Sequence, residues 1–373
     1  MIDSKNVKIP PRVNAIVTHA HSDHFAVMNS YTPTYATQET IDLFVKLKKT
    51  KATGNFIPVK FNEQLTLKPD TPDVQISFVP SGHVLGSASV FIENDNSRLL
   101  FSGDVGGKGQ LTSKNDLKAM EADILVVEAT FGSPDLAFPS REEISMEILK
   151  WSANVIKENK NVLFSAGRIG SAQELIKLFN NLTNLNVITH GEVSDISEIY
   201  QKHGVKLKFH DSKSEEGREI LRSGDAIIIQ PRGKKIVPFF LTEHVECKTA
   251  IVTGMASRFQ YRNYDASFPL SSHANFNELI DYIRTVSPEM VFTIYGLEKR
   301  LAEAITKELD IPAIPLKDKT PNAIQKTSEK LATEHVQQKN LERETVPLKK
   351  FERKDPTKEK KEITLDDFFT KDD

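Results

Sequence analysis

Cysteine is almost missing: Cys247 is the only one in 373 residues. That excludes a disulfide framework and a cysteine-only zinc site, so any metal must be held by His, Asp or Glu. Long apolar runs are lacking too, and none approaches the roughly 18 residues of a membrane span. The opening residues Met1–Asn6 carry no apolar signal stretch. These absences lead us to expect a soluble, intracellular, cytoplasmic protein with no membrane partner. An excess of basic charge is also missing, since 49 Lys and Arg face 51 Asp and Glu, a net charge of −2. A histone-like or generally basic nucleic-acid protein is excluded, although a local basic patch is not. What is present is ordinary: 39% hydrophobic and 27% charged residues. That is enough for a sizeable core, in two domains or in one large domain with additions.

Charge is unevenly spread. Residues 317–373 hold 14 Lys or Arg and 13 Asp or Glu, near half of the 57 positions. Such a tail cannot bury enough apolar surface to offset its ordering entropy, so disorder is expected there. One part departs from that composition, the run Ile363-Thr364-Leu365-Asp366-Asp367-Phe368-Phe369.

The rest alternates α and β patterns. Short β-branched runs bounded by turn signals predict strands at Ala15–Thr18, Ala88–Glu93, Arg98–Ser102, Ile124–Glu128 and Val162–Ser165. The same signal recurs at Val187–Thr189, Ala226–Gln230, Ala250–Thr253 and Val291–Ile294. Ser140-Arg141-Glu142-Glu143 reads as a capping box opening a helix towards Lys157, and Asn275 with Glu278 as another, towards Val286.

The strongest chemical signal is His19-Ala20-His21-Ser22-Asp23-His24, directly after the first strand. Neutral imidazole and carboxylate suit zinc, and a tight loop at a strand's end brings such groups into a small volume. Ser81-Gly82-His83-Val84-Leu85-Gly86-Ser87 adds a histidine between glycines, and Phe101-Ser102-Gly103-Asp104 adds an aspartate just after a strand. Alone, each of those two reads as turn chemistry; beside the first motif, each becomes a candidate ligand. His190, His203, His210, His244 and His335 show no ligand spacing and read as surface or structural residues. Lys234-Lys235 and Arg258–Arg262, with Phe259 and Tyr261, form short basic–aromatic clusters; these are usually solvated faces, and less often contacts to a phosphate backbone or to bases.

The set HxHxDH, Gly-flanked His and Ser-Gly-Asp resembles the metallo-β-lactamase superfamily. The resemblance implies that His19, His21, His83 and Asp104 hold one metal. Asp23, His24 and a bridging Asp104 would hold a second, with Asp3 supporting the loop. Val127-Glu128-Ala129-Thr130-Phe131-Gly132, Pro269-Leu270-Ser271-Ser272-His273 and Gly167-Arg168 with Gln173-Glu174-Leu175 resemble the β-CASP nucleases, most of all the small ligase-associated, Artemis-like DNA exonucleases. The implied fold is α/β: a four-layer αββα sandwich with an inserted α/β β-CASP cap. Its parts are residues 1–137, a cap at 138–257, a return at 258–316, a charged linker at 317–361 and an end peptide at 362–369. The implied activity is zinc-dependent hydrolysis of DNA phosphodiester bonds, with manganese able to substitute; the alternative is a ribonuclease of RNA processing. Asp23, Asp104, Glu128 and His273 would be catalytic, and Arg168, Ser271 and Ser272 would touch substrate. Two roles fit His273: a general acid aimed by Glu128, or a metal ligand that Glu128 orients. Ribonucleases of the group usually place a histidine before the late glycine, where this chain has Tyr295-Gly296. The second metal is therefore expected to bind weakly, and the substitution favours DNA.

At the C-terminus, Leu365, Phe368 and Phe369 share one face of a helical turn. With Glu362 three residues before Leu365, the run resembles the peptide that binds a sliding clamp of the PCNA type, Glu replacing the usual Gln. The implied partners are nucleic acid and such a clamp.

Overall fold

The computed structural model describes residues 1–5, 13–48, 54–65, 74–233 and 246–316. Lys234-Lys235, His244, His335, the 317–361 linker and the peptide with Glu362, Leu365, Phe368 and Phe369 lie outside the described residues.

Two sheets form one half of the fold. The smaller is parallel and runs β1 (Ala15–Ile16), β2 (Thr34–Ala36), β3 (Phe56–Pro58). Ile2 bridges to Ile16, so the first residues extend this sheet beyond β1. The larger sheet begins with β4 (Gln64–Leu65), β5 (Gln75–Pro80), β6 (Ala88–Glu93) and β7 (Arg98–Phe101), paired antiparallel. It continues in parallel through β8 (Ile124–Ala129), β15 (Met290–Gly296) and β16 (Ala313–Pro315).

Side-chain alternation builds the layers. Ile16 faces Phe78, Ala88 and Val90 of the larger sheet, forming the core between sheets. Its neighbours Ala15 and Val17 face the other way, onto Ile41 and Phe44 of helix α1 (Gln38–Lys48). On the far side, Leu125, Val127 and Ala129 pack against Leu279 and Ile283, and against Leu301 and Ile305. These come from the helices α6 (Phe276–Val286) and α7 (Glu298–Leu309), which cover this face. The order helix, sheet, sheet, helix is the expected αββα sandwich.

The other half is a six-stranded, wholly parallel sheet in the order β11, β10, β12, β9, β13, β14. Its strands are β9 (Asn161–Ala166), β10 (Val187–Thr189), β11 (His210–Asp211), β12 (Ile227–Pro231), β13 (Cys247–Val252) and β14 (Ala266–Phe268). Helices α2 (Arg141–Lys157), α3 (Ser171–Leu182) and α4 (Glu192–Lys202) cover one face through Ile148, Leu175 and Ile196; α5 (Glu215–Ser223) covers the other through Leu221. Buried on both faces, β9 and β12 are buried at every position, as a covered parallel sheet requires. β14 lies past Ser257 and still belongs to this sheet, because Thr253 N–H bonds the Phe268 carbonyl at the end of the β13–β14 pair. The chain then enters α6 (Phe276–Val286) and α7 (Glu298–Leu309) of the sandwich.

Both capping boxes form. Ser140 and Glu143 exchange side-chain and backbone bonds at α2, and Asn275 and Glu278 do so at α6. Among the described residues, no helix is long and apolar enough to cross a membrane.

Candidate metal centre

β1 delivers Val17–His24 into a tight loop, and Asp3 fixes its shape. The buried Asp3 carboxylate accepts the Thr18 N–H at 2.9 Å and the Thr18 hydroxyl at 2.7 Å, and meets His24 Nδ1 at 2.9 Å. Thr18 Oγ1 also lies 3.0 Å from His19 Nδ1, which turns the other ring nitrogen inward. The β5–β6 loop brings His83, pinned where Ser87 Oγ accepts the N–H groups of His83 and Val84, both at 3.0 Å. β7 ends before Asp104. Gly103 takes φ +57°, where a Cβ would press on Thr18 and the Ala88 carbonyl at 3.0 Å.

The rings converge. His21 Nδ1 lies 3.1 Å from His19 Nε2 and 3.1 Å from His83 Nε2. Asp104 Oδ2 lies 3.3 Å from His19 Nε2 and 3.5 Å from His83 Nε2. A tetrahedral ion with bonds of about 2.0–2.1 Å holds its donors about 3.3 Å apart. The four donor atoms therefore fit a single divalent ion. The other oxygen of Asp104, Oδ1, points to His24 Nε2 at 3.5 Å, and Asp23 Oδ2 approaches the same nitrogen at 3.6 Å. Asp104 thus faces two ligand groups, one with each oxygen, as a bridging carboxylate must. The second group is poorer, with one imidazole, the shared Asp104 and a solvent-exposed Asp23. Tyr295 packs edge-on to His24, ring centroids 5.0 Å apart. Burial first, then Asp3 and Asp104, push its hydroxyl well above the ordinary tyrosine value, so it is a neutral phenol and a weak donor to metal.

Electrostatics suit the first group. Burial, then neighbouring imidazoles, hold His19 and His83 well below the usual histidine value, and burial with His273 takes His21 down to about 4. All three are neutral at pH 7, the form that binds metal. Burial raises Asp104 to about 7. Burial opposes charge on His24, but Asp104 and Asp3 outweigh it and push that ring up to about 9.

A second pair stands beside this cluster. Glu128, on β8 and fully buried, faces away from the Leu125–Val127–Ala129 core. It accepts the N–H of Val105 at 2.8 Å and of Thr130 at 3.2 Å, and its Oε1 lies 3.0 Å from His273 Nδ1. A carboxylate there assigns the proton to Nδ1. Nε2 of His273 then faces the cluster, 3.8 Å from Asp104 Oδ2. Burial opposes charge on His273, yet Glu128 and Asp104 raise it to about 9.

The cluster opens into a cleft of about 530 Å³ between the halves of the fold, lined by Asp23, His24, Asp104 and His273 and, opposite, by Arg168, Ile169 and Arg232. Arg168 lines this cleft, and its guanidinium pairs with Glu192 at 2.9 Å. Ser271 Oγ accepts the His273 N–H at 3.1 Å. Ser272 offers its carbonyl to Gln110 Nε2 at 2.8 Å, while its hydroxyl is buried without a hydrogen-bond partner among the described residues. His190, His203 and His210 lie away from the cleft, on Ser212, Asp42 and Glu216.

Sequence reasoning misses one buried network. Glu174 of α3 accepts the N–H groups of Leu111 and Thr112 and the Thr112 hydroxyl, and pairs with Arg141 of α2 at 3.1 Å. Arg141 also donates to the carbonyls of Ser271 at 2.6 Å and Lys108 at 3.1 Å. It ties the six-stranded half to the loop that carries His273. The motif containing Glu174 is visible in the sequence, whereas Arg141 reads there only as a helix start.

Residues 266–315 match the family described as Zn-dependent metallo-hydrolase RNA specificity domain. The chain is 25% identical over 301 residues to a protein of Opitutus terrae named Probable DNA ligase, covering 79% of this chain and 28% of that one. It is 23% identical over 361 residues to an RNase J-like protein of Methanocaldococcus jannaschii, covering 80% and 85%. It is 28% identical over 201 residues to the transcription termination factor FttA of Pyrococcus horikoshii, covering 46% and 31%. The chain thus spans about a third or less of the first and last of these. Its fold is similar to the crystal structure of a protein of unknown function from Enterococcus faecalis, with a TM-score of 0.56, 13% identity and coverage of 82% and 80%.

Proposed function

Since the chain belongs to the metallo-β-lactamase-fold β-CASP nucleases, we propose that its cleft hydrolyses DNA phosphodiester bonds from a strand end, with divalent metal. The observation that carries this reading is Asp104, with one oxygen on the His19–His83 side and the other on His24, beside the Glu128–His273 pair.

His19, His21, His83 and Asp104 would hold one ion; Asp23, His24 and Asp104 would hold a weaker second. When bound, divalent metal neutralises phosphate charge and makes water acidic enough to attack at neutral pH. The chain's own groups do the rest. Asp104 orients both ligand groups through one rigid carboxylate. Arg168 and Arg232, across the cleft, offer positive charge to the neighbouring backbone. His273, with Nδ1–H donating to Glu128, presents Nε2–H to the cluster and protonates the leaving oxygen. Glu128 keeps that proton in place by its charge and fixes the ring's direction.

Two observations favour DNA. Tyr295 stands where the group's ribonucleases place a histidine, and one relative carries a DNA-ligase name. The RNA reading draws on the family match at 266–315 and on the RNase J-like relative, most of whose length this chain covers. Digestion of matched end-labelled DNA and RNA strands with zinc or manganese decides between them. We expect stepwise loss of terminal nucleotides from DNA; cleavage of RNA alone overturns the DNA reading.

From sequence alone, the peptide with Glu362, Leu365, Phe368 and Phe369 would tether the enzyme to a sliding clamp. Titrating residues 360–373 into the host's clamp tests this, and no binding at high micromolar concentration removes the proposal.

A further inference from the structure

A second cavity, of about 600 Å³, adjoins the metal cluster. It is lined by His21, His83 and His273 of the cluster, by Tyr261 and Tyr264 from the β13–β14 loop, and by Arg232, Thr253 and Ser272. We infer that this cavity is a nucleobase subsite, which takes one unpaired base of single-stranded nucleic acid onto Tyr261 and Tyr264. The inference deepens the phosphodiesterase reading and rests on it for the position of the neighbouring phosphate.

Topology points to a ligand here. From β9 the chain passes through α3 to β10 on one side of the sheet, whereas β13 leads to β14 on the other. Open parallel sheets bind ligands outside the carboxyl ends of their strands, at such a reversal. Gly167 after β9, Arg232 and Gly233 after β12, and Thr253 to Met255 after β13 all line this one cavity.

The lining suits a base. Tyr264 N–H bonds the Tyr261 carbonyl at 3.0 Å, closing a turn that brings both residues to the cavity lining. That turn is fastened at both ends. Arg258 pairs with Asp135 at 3.2 Å, and Asp265 accepts from Thr249 N–H at 2.7 Å and from its hydroxyl at 2.8 Å. The backbone that carries both tyrosines is therefore held before anything binds, which limits the ordering cost of stacking. Ser272, whose buried hydroxyl has no partner among the described residues, also belongs to the lining. That hydroxyl lies against Gly170, where a Cβ would collide with it, so it is a donor placed by close packing. Arg232 makes no side-chain hydrogen bond or ion pair among the described residues and completes the rim with positive charge. The volume lies in the range of small-ligand pockets, roughly 300–1,000 Å³. A base still paired in a duplex cannot enter without its partner, so the subsite selects unpaired ends. Aromatic stacking tolerates any base, because every base has a π-face.

The test is a cycle between protein and substrate. Metal-loaded full-length chain, wild type beside Tyr261→Ala/Tyr264→Ala, is given end-labelled DNA and RNA strands with one abasic residue moved stepwise from the end. At one position the abasic change should cost the wild type about 5- to 150-fold in kcat/KM, the range of one base–aromatic stack. The same change should cost the double variant almost nothing. Tyr261→Phe/Tyr264→Phe should restore the wild-type penalty, and metal content should match in all three proteins. The comparison of DNA with RNA shows whether the subsite reads only the base or also the sugar. An equal abasic penalty in wild type and alanine variant at every position overturns the subsite. If wild type cleaves neither these strands nor bis(p-nitrophenyl) phosphate, the nuclease reading fails instead. The anisotropy Kd of the same strands, in the same cycle, then decides the subsite alone.

Discussion

Replacing Arg141 by Met keeps the aliphatic stem that packs at the start of α2 and removes only the guanidinium. Three polar links go with it: the pair with Glu174 and the bonds to the carbonyls of Ser271 and Lys108. Breaking a buried ion pair by removing one partner costs about 3–5 kcal/mol, because the other charge is stranded. Glu174 is not fully stranded here, since Leu111, Thr112 N–H and the Thr112 hydroxyl still donate to it. The lower end applies, about 3 kcal/mol. Trp151, the only tryptophan, sits on α2 with its ring centroid 5.9 Å from Phe164 and 5.7 Å from Phe268, so its fluorescence reports unfolding of that half. In urea its transition should move to lower concentration, and a cycle with Glu174→Gln should return a coupling of about 1–3 kcal/mol. Ser271 lies two residues before His273, so nuclease kcat should also fall, on the order of tenfold to a hundredfold, with metal content unchanged. A shift under about 0.5 kcal/mol, the scale of an ordinary surface substitution, refutes the claim that Arg141 ties the six-stranded half to the loop that carries His273.

His273→Ala and Glu128→Ala should each lose on the order of a hundredfold or more in cleavage rate while keeping the first metal, as measured by single-turnover assay beside elemental analysis. Wild-type rate in either variant removes the acid assignment. Tyr295→His should raise metal content towards two ions per chain, whereas His24→Ala should lower only the weaker ion; cobalt spectra follow both. Metal loading at pH 7 should release roughly one to two protons per chain. In the metal-free chain His24 stands at about 9 and holds its proton at pH 7, and Asp104 at about 7 is half protonated. The neutral His19, His21 and His83 have none to give. Both raised groups lose their protons as pH climbs, so release should shrink above pH 9 and grow towards pH 6. Calorimetry in buffers of different ionisation enthalpy reads this, and zero release at pH 7 contradicts the assignment.

Much of this was legible in the sequence, for local reasons. A β-branched run followed by His19-Ala20-His21-Ser22-Asp23-His24 specifies a strand and a loop of candidate ligands before any tertiary contact is known. The capping boxes at Ser140 and Asn275 depend on neighbours three residues away, and both form. Short motifs mark His83, Asp104, Glu128 and His273 as candidates, yet their mutual distances depend on separate, distant stretches of the chain. What was not legible is long-range. Arg141 meets Glu174 across 33 positions and Ser271 across 130, and no local pattern marks such a meeting. Tyr264 gains meaning only from the turn that brings it to the same cavity as His273. β14 belongs to the six-stranded sheet, where Asp265 is held by Thr249 sixteen positions away, a tertiary bond that no local pattern marks.

The central claim is that Asp104 bridges two ligand groups and that the cluster holds divalent metal. Elemental analysis of gently purified full-length chain, wild type beside Asp104→Ala, tests it most directly. The account predicts at least one transition-metal ion per wild-type chain and none in the variant, with both proteins folded by circular dichroism. A metal-free wild type, or a variant that keeps its full complement, contradicts it.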